Sequence, residues 1–395
     1  MWNRNVTMLW LAQMISYMGD AVYQIALIWL IFDITGSSTV TGMVAMSAYL
    51  PAMLFGLLGG VLADKYDRIR IIHIANFSQA LTVTFIPVAL FYGTTDALLV
   101  GFLAFMRSSF GTLFPPALNA FIPEVVGKKH LTQVNSLNAT SMQFAYLIGP
   151  AFAGVLLGIM SLSNLFIFDA VSFLAASIFL LFVVKKRKPL QAKTHTTMEQ
   201  LRSGLKYIMR HRSIGYLILL TILNNIFIMG PAIVGMPVLV KSVLGGTVSD
   251  FAFVEAGMAG GMLIGSWLVY RNSHRFNNGF LLLIGLLWDG ITYTFFYWVP
   301  SVPVAIIIII IHGVGIPVIT ITRTAIIQRN TPNEYHGRLF SVVHLAVVGM
   351  TALSSAFVGI LASVMSVTVI FLFFGLGAVV SGIVGLMSSS LRKLN

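Results

Sequence analysis

Asp20 and Arg107 are opposite charges set inside long apolar stretches. An ion so placed needs a partner or a water-filled cavity. Asp20 shares a helical stripe with Gln13, Tyr17 and Gln24, spaced by four, three and four residues. That stripe is expected to face water rather than lipid. Burial favours the neutral acid and a nearby guanidinium favours the charged one. If their separation changes, Asp20 can take and release a proton. The competing reading is a static ion pair that specifies packing. Thr221, Asn224 and Asn225 form a second polar patch on helix-compatible spacing. Asp289, beside Trp288 and Tyr293, could bind a cationic group or a proton. Asp169 and Glu255 lie nearer the outer ends of their stretches and are expected as solvated cavity walls. His312 is expected as a satisfied hydrogen-bonding group. The remaining polar candidates for a central cavity are thus Gln13, Tyr17, Gln24, Asn224, Asn225, Asp289 and His312.

These residues need helices in a bilayer to position them. The chain is 57% hydrophobic and only 9% charged, against about 25% charged in a soluble domain. A crossing takes about 20 apolar residues. Twelve runs qualify, at about 7–33, 39–63, 72–92, 97–121, 132–160, 163–184, 214–243, 251–270, 277–299, 302–323, 338–363 and 366–390. They are too long and too apolar on all sides for barrel strands. The first run lacks a signal-peptide cleavage site and reads as a permanent helix. The net charge of +12 is read as positive-inside loops, not as nucleic-acid binding. Lys65, Arg68, Arg70, Lys128, Lys129, the run Lys185–Lys188, Arg271, Arg275, Arg329, Arg338, Arg392 and Lys393 all fall on the side that holds both termini. That side is expected to be cytoplasmic. The absence of cysteine and of HxxxH or HExxH spacing argues against thiol and metal chemistry. No cofactor loop or catalytic constellation appears, so no enzyme and no cofactor is expected.

A shift of about 205 residues superposes landmarks along the chain. Gly56 and Gly60 fall on Gly261 and Gly265, Arg70 on Arg275, Asp20 on Asn225, and Arg107 on His312. Residues 150–156 fall on 355–361. Parallel six-helix repeats are one transporter architecture. The expected organisation is a six-helix bundle over 1–184, a basic linker over 185–213, and a second bundle over 214–395. The linker carries a possible amphipathic segment at Met198–Met209, expected to lie on lipid headgroups.

Three motifs sharpen this. Between the second and third runs stands Gly60-Val61-Leu62-Ala63-Asp64-Lys65-Tyr66-Asp67-Arg68-Ile69-Arg70. Gly60 permits close helix approach. Asp64 suits a helix N-terminus or a pairing with Arg338, which would close the cytoplasmic side. Arg107-Ser108-Ser109-Phe110-Gly111 is the second motif, and Gly149-Pro150-x3-Gly154 is the third. Pro150 removes a backbone hydrogen bond and kinks its helix, while the glycines give a packing face.

Together these motifs resemble those of the major facilitator superfamily, in its macrolide and siderophore exporter-like branch of bacterial drug exporters. An Asp-Arg pair at Asp67-Arg68 and the Gly19-Asp20 pair are usual in that branch. Phe110 replaces the Gln of the superfamily's Arg-x-x-Gln-Gly motif. The resemblance implies an all-α fold of twelve transmembrane helices in two pseudo-symmetric bundles, with the first, fourth, seventh and tenth helices lining a central cavity. It implies Gly60, Asp64, Arg68 and Arg338 as a cytoplasmic gate, and Gly149, Pro150 and Gly154 as an antiporter hinge. The expected activity is proton-coupled export of small amphipathic molecules from a bacterial cell by a monomer in contact with membrane lipids. A lipid flippase on the same fold is the alternative, and a passive channel is a weaker one.

Overall fold

The computed structural model describes residues 4–94, 96–126, 130–184, 197–272, 276–392 and 394. Lys128, Lys129, the run Lys185–Lys188, Arg275, Lys393 and the side chain of Asp64 lie outside the described residues.

Twelve helices are long and apolar enough to cross a membrane. They are α1 (Arg4–Thr35), α2 (Ser38–Lys65), α3 (Arg68–Phe91), α4 (Ala97–Val125), α5 (Leu131–Leu157), α6 (Leu162–Leu181), α7 (Arg212–Val243), α8 (Val248–Asn272), α9 (Asn278–Trp298), α10 (Val302–Asn330), α11 (Asn333–Leu361) and α12 (Val367–Met387). Lipid offers no hydrogen-bond partner, so each crossing closes its own backbone ladder. The chain is a multi-pass membrane protein.

Four crossings are irregular: α9 ends in a 3-10 turn, Phe295–Trp298, and the other three break at proline. Two helical segments make up α4, Ala97–Gly111 and Phe114–Val125. Pro115 and Pro116 have no N–H to return to the preceding turn. Likewise α10 is interrupted at Val314 between Gly313 and Gly315, three residues before Pro317. In α7, Pro231 and Pro237 accompany two π-helical turns, Pro231–Gly235 and Leu239–Val243. Both α4 and α10 run further than the apolar runs suggest, α4 through Ile122 to Val125 and α10 through the more polar residues 324–330.

Contacts divide the chain into two compact units, Met1–Gly36 with Ser47–Thr197 and Ser37–Met46 with Met198–Asn395. In the first unit, α1 packs along α5 and α6, and α3 lies against α6 and α4. One apolar cluster of this unit joins Val6, Leu9, Ile72, Phe121, Ile122 and Leu180. In the second unit, α9 packs along α12 and α10, α8 along α10, and α7 along α11 and α12. There Leu217, Leu283, Ile326, Ile327, Leu339 and Leu391 form the corresponding core. The first turns of α2 belong to this unit. A Cβ on Gly42 would stand 2.9 Å from the Gly359 Cα, and Thr39 Oγ1 donates to the Gly359 carbonyl at 3.3 Å.

The amphipathic segment is a helix, Thr197–Arg210. Its buried face packs on the start of α11. Arg338 Nη1 donates to Ser203 Oγ at 2.6 Å, and the Tyr207 ring lies 4.4 Å from Tyr335 and 3.8 Å from His211. Gly204 is buried against the Arg338 backbone, where a Cβ would come within 3.1 Å of its carbonyl oxygen. Three aromatic rings and a backbone-to-backbone approach hold this helix to the second unit.

Candidate functional site

In the first unit Arg107 sits on α4 between two carboxylates. Its Nη2 donates to Asp20 Oδ1 of α1 at 2.5 Å and to Asp169 Oδ2 of α6 at 2.9 Å. Its Nε adds a bond to the same Asp169 oxygen at 3.2 Å. The Tyr23 ring covers the guanidinium at 3.8 Å, and Phe173 flanks it at 5.2 Å. Cation–π contacts of this kind strengthen when water is excluded. The expected pair of Asp20 and Arg107 is therefore present, and it is a triad.

Asp169 is the correction. It was expected as a solvated wall near an outer end, yet its side chain is 0% exposed. Its Oδ1 has no hydrogen-bond partner. Depth could have revealed it. Arg107 lies about 15 Å along α4 and Asp169 about 10 Å along α6, at 1.5 Å per residue. The two helices enter from the same side, and an arginine side chain spans the difference. Asp20 is the accessible member, with 30% of its side chain exposed.

Small residues make the triad possible. A Cβ on Gly19 would overlap Ser172 Oγ and come within 2.7 Å of Asp169 Oδ1. A Cβ on Gly149 would overlap that of Ala21. Glycine at 19 brings α1 onto α6, and glycine at 149 brings α5 onto α1. Pro150 is half-buried inside α5 and Gly154 is buried.

The rest of the α1 stripe diverges. Gln24 is exposed. Tyr17 is half-buried and donates to Asn138 Oδ1 at 3.2 Å. Gln13 does not face water: it is 2% exposed and neither amide atom has a partner. It lines a small apolar cavity with Leu9, Trp10, Leu118, Ile122 and Asn138. Four-residue spacing places Gln13 and Tyr17 on one face of α1, but α5 covers the Gln13 end.

The gate residues fall as follows. Gly60 is half-buried in α2. Asp67 caps α3, accepting from the Ile69 and Arg70 amides at 3.1 and 3.3 Å. Arg68 is buried and turns inward, donating to Glu124 Oε1 at 2.5 Å and to the carbonyls of Ala63 and Ala120. The Asp-Arg pair thus starts one helix and ties it to the end of α4. Arg338 engages Ser203 and stacks over Tyr335 at 5.0 Å.

In the second unit the polar candidates are buried rather than spread along an open wall. Asp289 and His312 are 2% and 1% exposed, and Asn224 and Asn225 are 7% and 6%. Asn224 Nδ2 donates to Asp289 Oδ2 at 3.2 Å. Asn225 Nδ2 returns to the Thr221 carbonyl of its own helix at 2.8 Å. Glu255 is half-buried on α8.

The family model described as a transmembrane secretion effector, of the major facilitator type, matches residues 2–395. The chain belongs to that family. As a major facilitator it is a membrane transporter. It is 27% identical to macrolide efflux protein A of Streptococcus pyogenes, over 86% of this chain and 85% of that one. It is 23% identical to the multidrug efflux pump Tap of Mycolicibacterium fortuitum, covering 95% and 94%. It is also 23% identical to the staphyloferrin A transporter of Staphylococcus aureus, covering 92% and 91%. Among solved structures, a bacterial homologue of the iron transporter ferroportin superposes with a TM-score of 0.77 at 18% identity, covering 97% of both chains. The nucleoside transporter NupG superposes at 0.78 and 13% identity, covering 98% and 99%. At these identities the two structures establish the shared fold of this major facilitator.

Proposed function

We propose that this transporter exports small amphipathic molecules, of the macrolide or siderophore class, in exchange for protons. One observation carries the coupling: a single guanidinium faces two carboxylates. With both acids ionised the triad holds one net negative charge, and one proton makes it neutral. A buried uncompensated charge is costly, so proton uptake and release changes how tightly α1, α4 and α6 are held. Asp169 takes two bonds from Arg107 and has no exposed surface, so it anchors. Asp20 takes one bond and is accessible, so it exchanges the proton. The relatives whose names specify macrolide, multidrug and staphyloferrin transport support the substrate class. Lysine and arginine in the loops on the side of the termini support a cytoplasmic placement of both ends in a bacterial cell membrane. In this scheme the monomer works in contact with lipid, and the proton gradient is the energy source without a cofactor.

The test is transport of a radiolabelled macrolide in proteoliposomes of full-length protein. An imposed pH gradient is expected to drive uphill movement, and Asp20→Asn to abolish the dependence on that gradient. Movement indifferent to the gradient in the unaltered protein removes the antiport reading.

A further inference from the structure

The second unit contains a buried acid that the triad does not use. Asp289 on α9 receives a hydrogen bond at Oδ2 from Asn224 of α7, while its Oδ1 has no donor. The Oδ1 lies 3.7 Å from His312 Nδ1 on α10, beyond hydrogen-bond reach. Asn224 Oδ1 also lacks a donor. Asp289 Oδ1 is thus a buried acceptor with no donor, a position where a hydrogen is missing.

His312 is tied to its neighbour Thr292. The Thr292 hydroxyl stands 2.7 Å from the Trp288 carbonyl, 3.1 Å from the Asp289 carbonyl and 2.9 Å from His312 Nδ1. In either tautomer a neutral imidazole leaves one ring nitrogen without a hydrogen. The charge count then resembles that of the triad: Asp289 ionised and His312 neutral give one net negative charge, and one proton cancels it. That proton can sit on Asp289 Oδ1, or on the ring nitrogen of His312 that lacks one, to make an acid–imidazolium pair.

Among the described residues, no neighbouring helix places a cation at Asp289. The α12 residues 367–387 contain no titratable side chain. The group that faces this cluster from α8 is another acid, Glu255, close enough to Tyr293 to act on it electrostatically. From α7 the facing groups are amides. Arg323 of α10 stands about 16 Å beyond His312. Packing crowds the cluster on two sides. The Tyr293 ring lies 4.4 Å from His312, and a Cβ on Gly315 would already stand 2.7 Å from Trp288 and 3.3 Å from Asp289 Oδ1.

We infer that Asp289, His312 and Asn224 form a second proton-binding site, carried wholly by the second unit and separate from the Asp20–Arg107–Asp169 triad. The repeat gives the layout: His312 stands at the mate of Arg107. The acid has changed helix, from α1 and α6 in the first unit to α9 in the second. With one proton per unit, a transport cycle moves two. The stoichiometry rests on the antiport reading, whereas the existence of the site does not.

Infrared difference spectra of the purified full-length protein, between acid and neutral buffer, test the site without transport. The Asp20→Asn/Asp169→Asn variant is expected to keep a protonated-carboxyl band that disappears when Asp289→Asn is added. His312→Gln is expected to shift the pH midpoint of that band. Macrolide transport in proteoliposomes should show a twofold fall in protons moved per macrolide for Asp289→Asn. An unchanged band in the added Asp289→Asn background overturns the inference, and so does a band displaced by sodium or potassium. If Asp289→Asn does not fold, an unmoved midpoint in His312→Gln overturns it. Loss of gradient dependence in the unaltered protein with the Asp289 band intact would refute only the antiport reading.

Discussion

Arg107→Met removes the cation from between Asp20 and Asp169 while keeping much of the side-chain length. In the unaltered protein, electrical neutrality requires one of the two acids to hold a proton. In the variant both must. Keeping one more aspartate neutral at pH 7, against an ordinary value of about 3.9 in the unfolded chain, costs about 1.4 kcal/mol per pH unit, or about 4 kcal/mol. This agrees with the roughly 3–5 kcal/mol expected when one partner of a buried ion pair is deleted. The sign follows from proton counting. The folded variant binds one more proton than the folded wild type, so its stability falls as pH rises. The deficit therefore shrinks by about 1.4 kcal/mol for each unit of acidification and vanishes near pH 4. Thermal unfolding in detergent, followed by tryptophan fluorescence across pH, measures this. Adding Asp20→Asn and Asp169→Asn to Arg107→Met removes the acids that must be held neutral and is expected to recover most of the loss. A variant as stable as wild type at neutral pH, a deficit independent of pH, or a triple variant no better than the single would refute the charge-balance reasoning.

Gly19→Ala drives a methyl group into Ser172 and Asp169. It is expected to cost about 1–3 kcal/mol and to weaken gradient-driven transport, with Ser172→Gly restoring part of both. Arg68→Met leaves Glu124 buried and is expected to lower stability by about 3–5 kcal/mol; the Arg68→Met/Glu124→Met pair, melted alongside, should lose far less. Gln13→Met replaces two unpartnered buried polar atoms and is expected to stabilise the protein by about 1–3 kcal/mol. An unfolding temperature that does not rise would show that the amide is satisfied in solution.

The twelve crossings were legible because lipid demands long apolar helices, and composition reports that demand directly. The Asp20–Arg107 pair was legible because an intramembrane charge requires an explanation. For Asp169, nearness to a helix end says little about exposure; its depth matched against that of Arg107 is the informative signal. Gln13 failed because burial depends on which helix covers a face, and α5 covers that end of the stripe. The inward turn of Arg68 depends on Glu124, 56 residues away in sequence, and no local pattern encodes that pairing. The breaks in α4 and α10 were within reach, since Pro115, Pro116 and Pro317 announce them.

The docking of the helix Thr197–Arg210 onto α11 bears on how the gene can be divided. A cut after residue 210 would deliver Tyr207 and Ser203 on one fragment and their partners Tyr335 and Arg338 on the other. A cut within 185–196 leaves those contacts intact on the second fragment. Two separately expressed halves are therefore expected to reassemble into an active transporter when the split precedes residue 197, and to do so poorly when it follows residue 210.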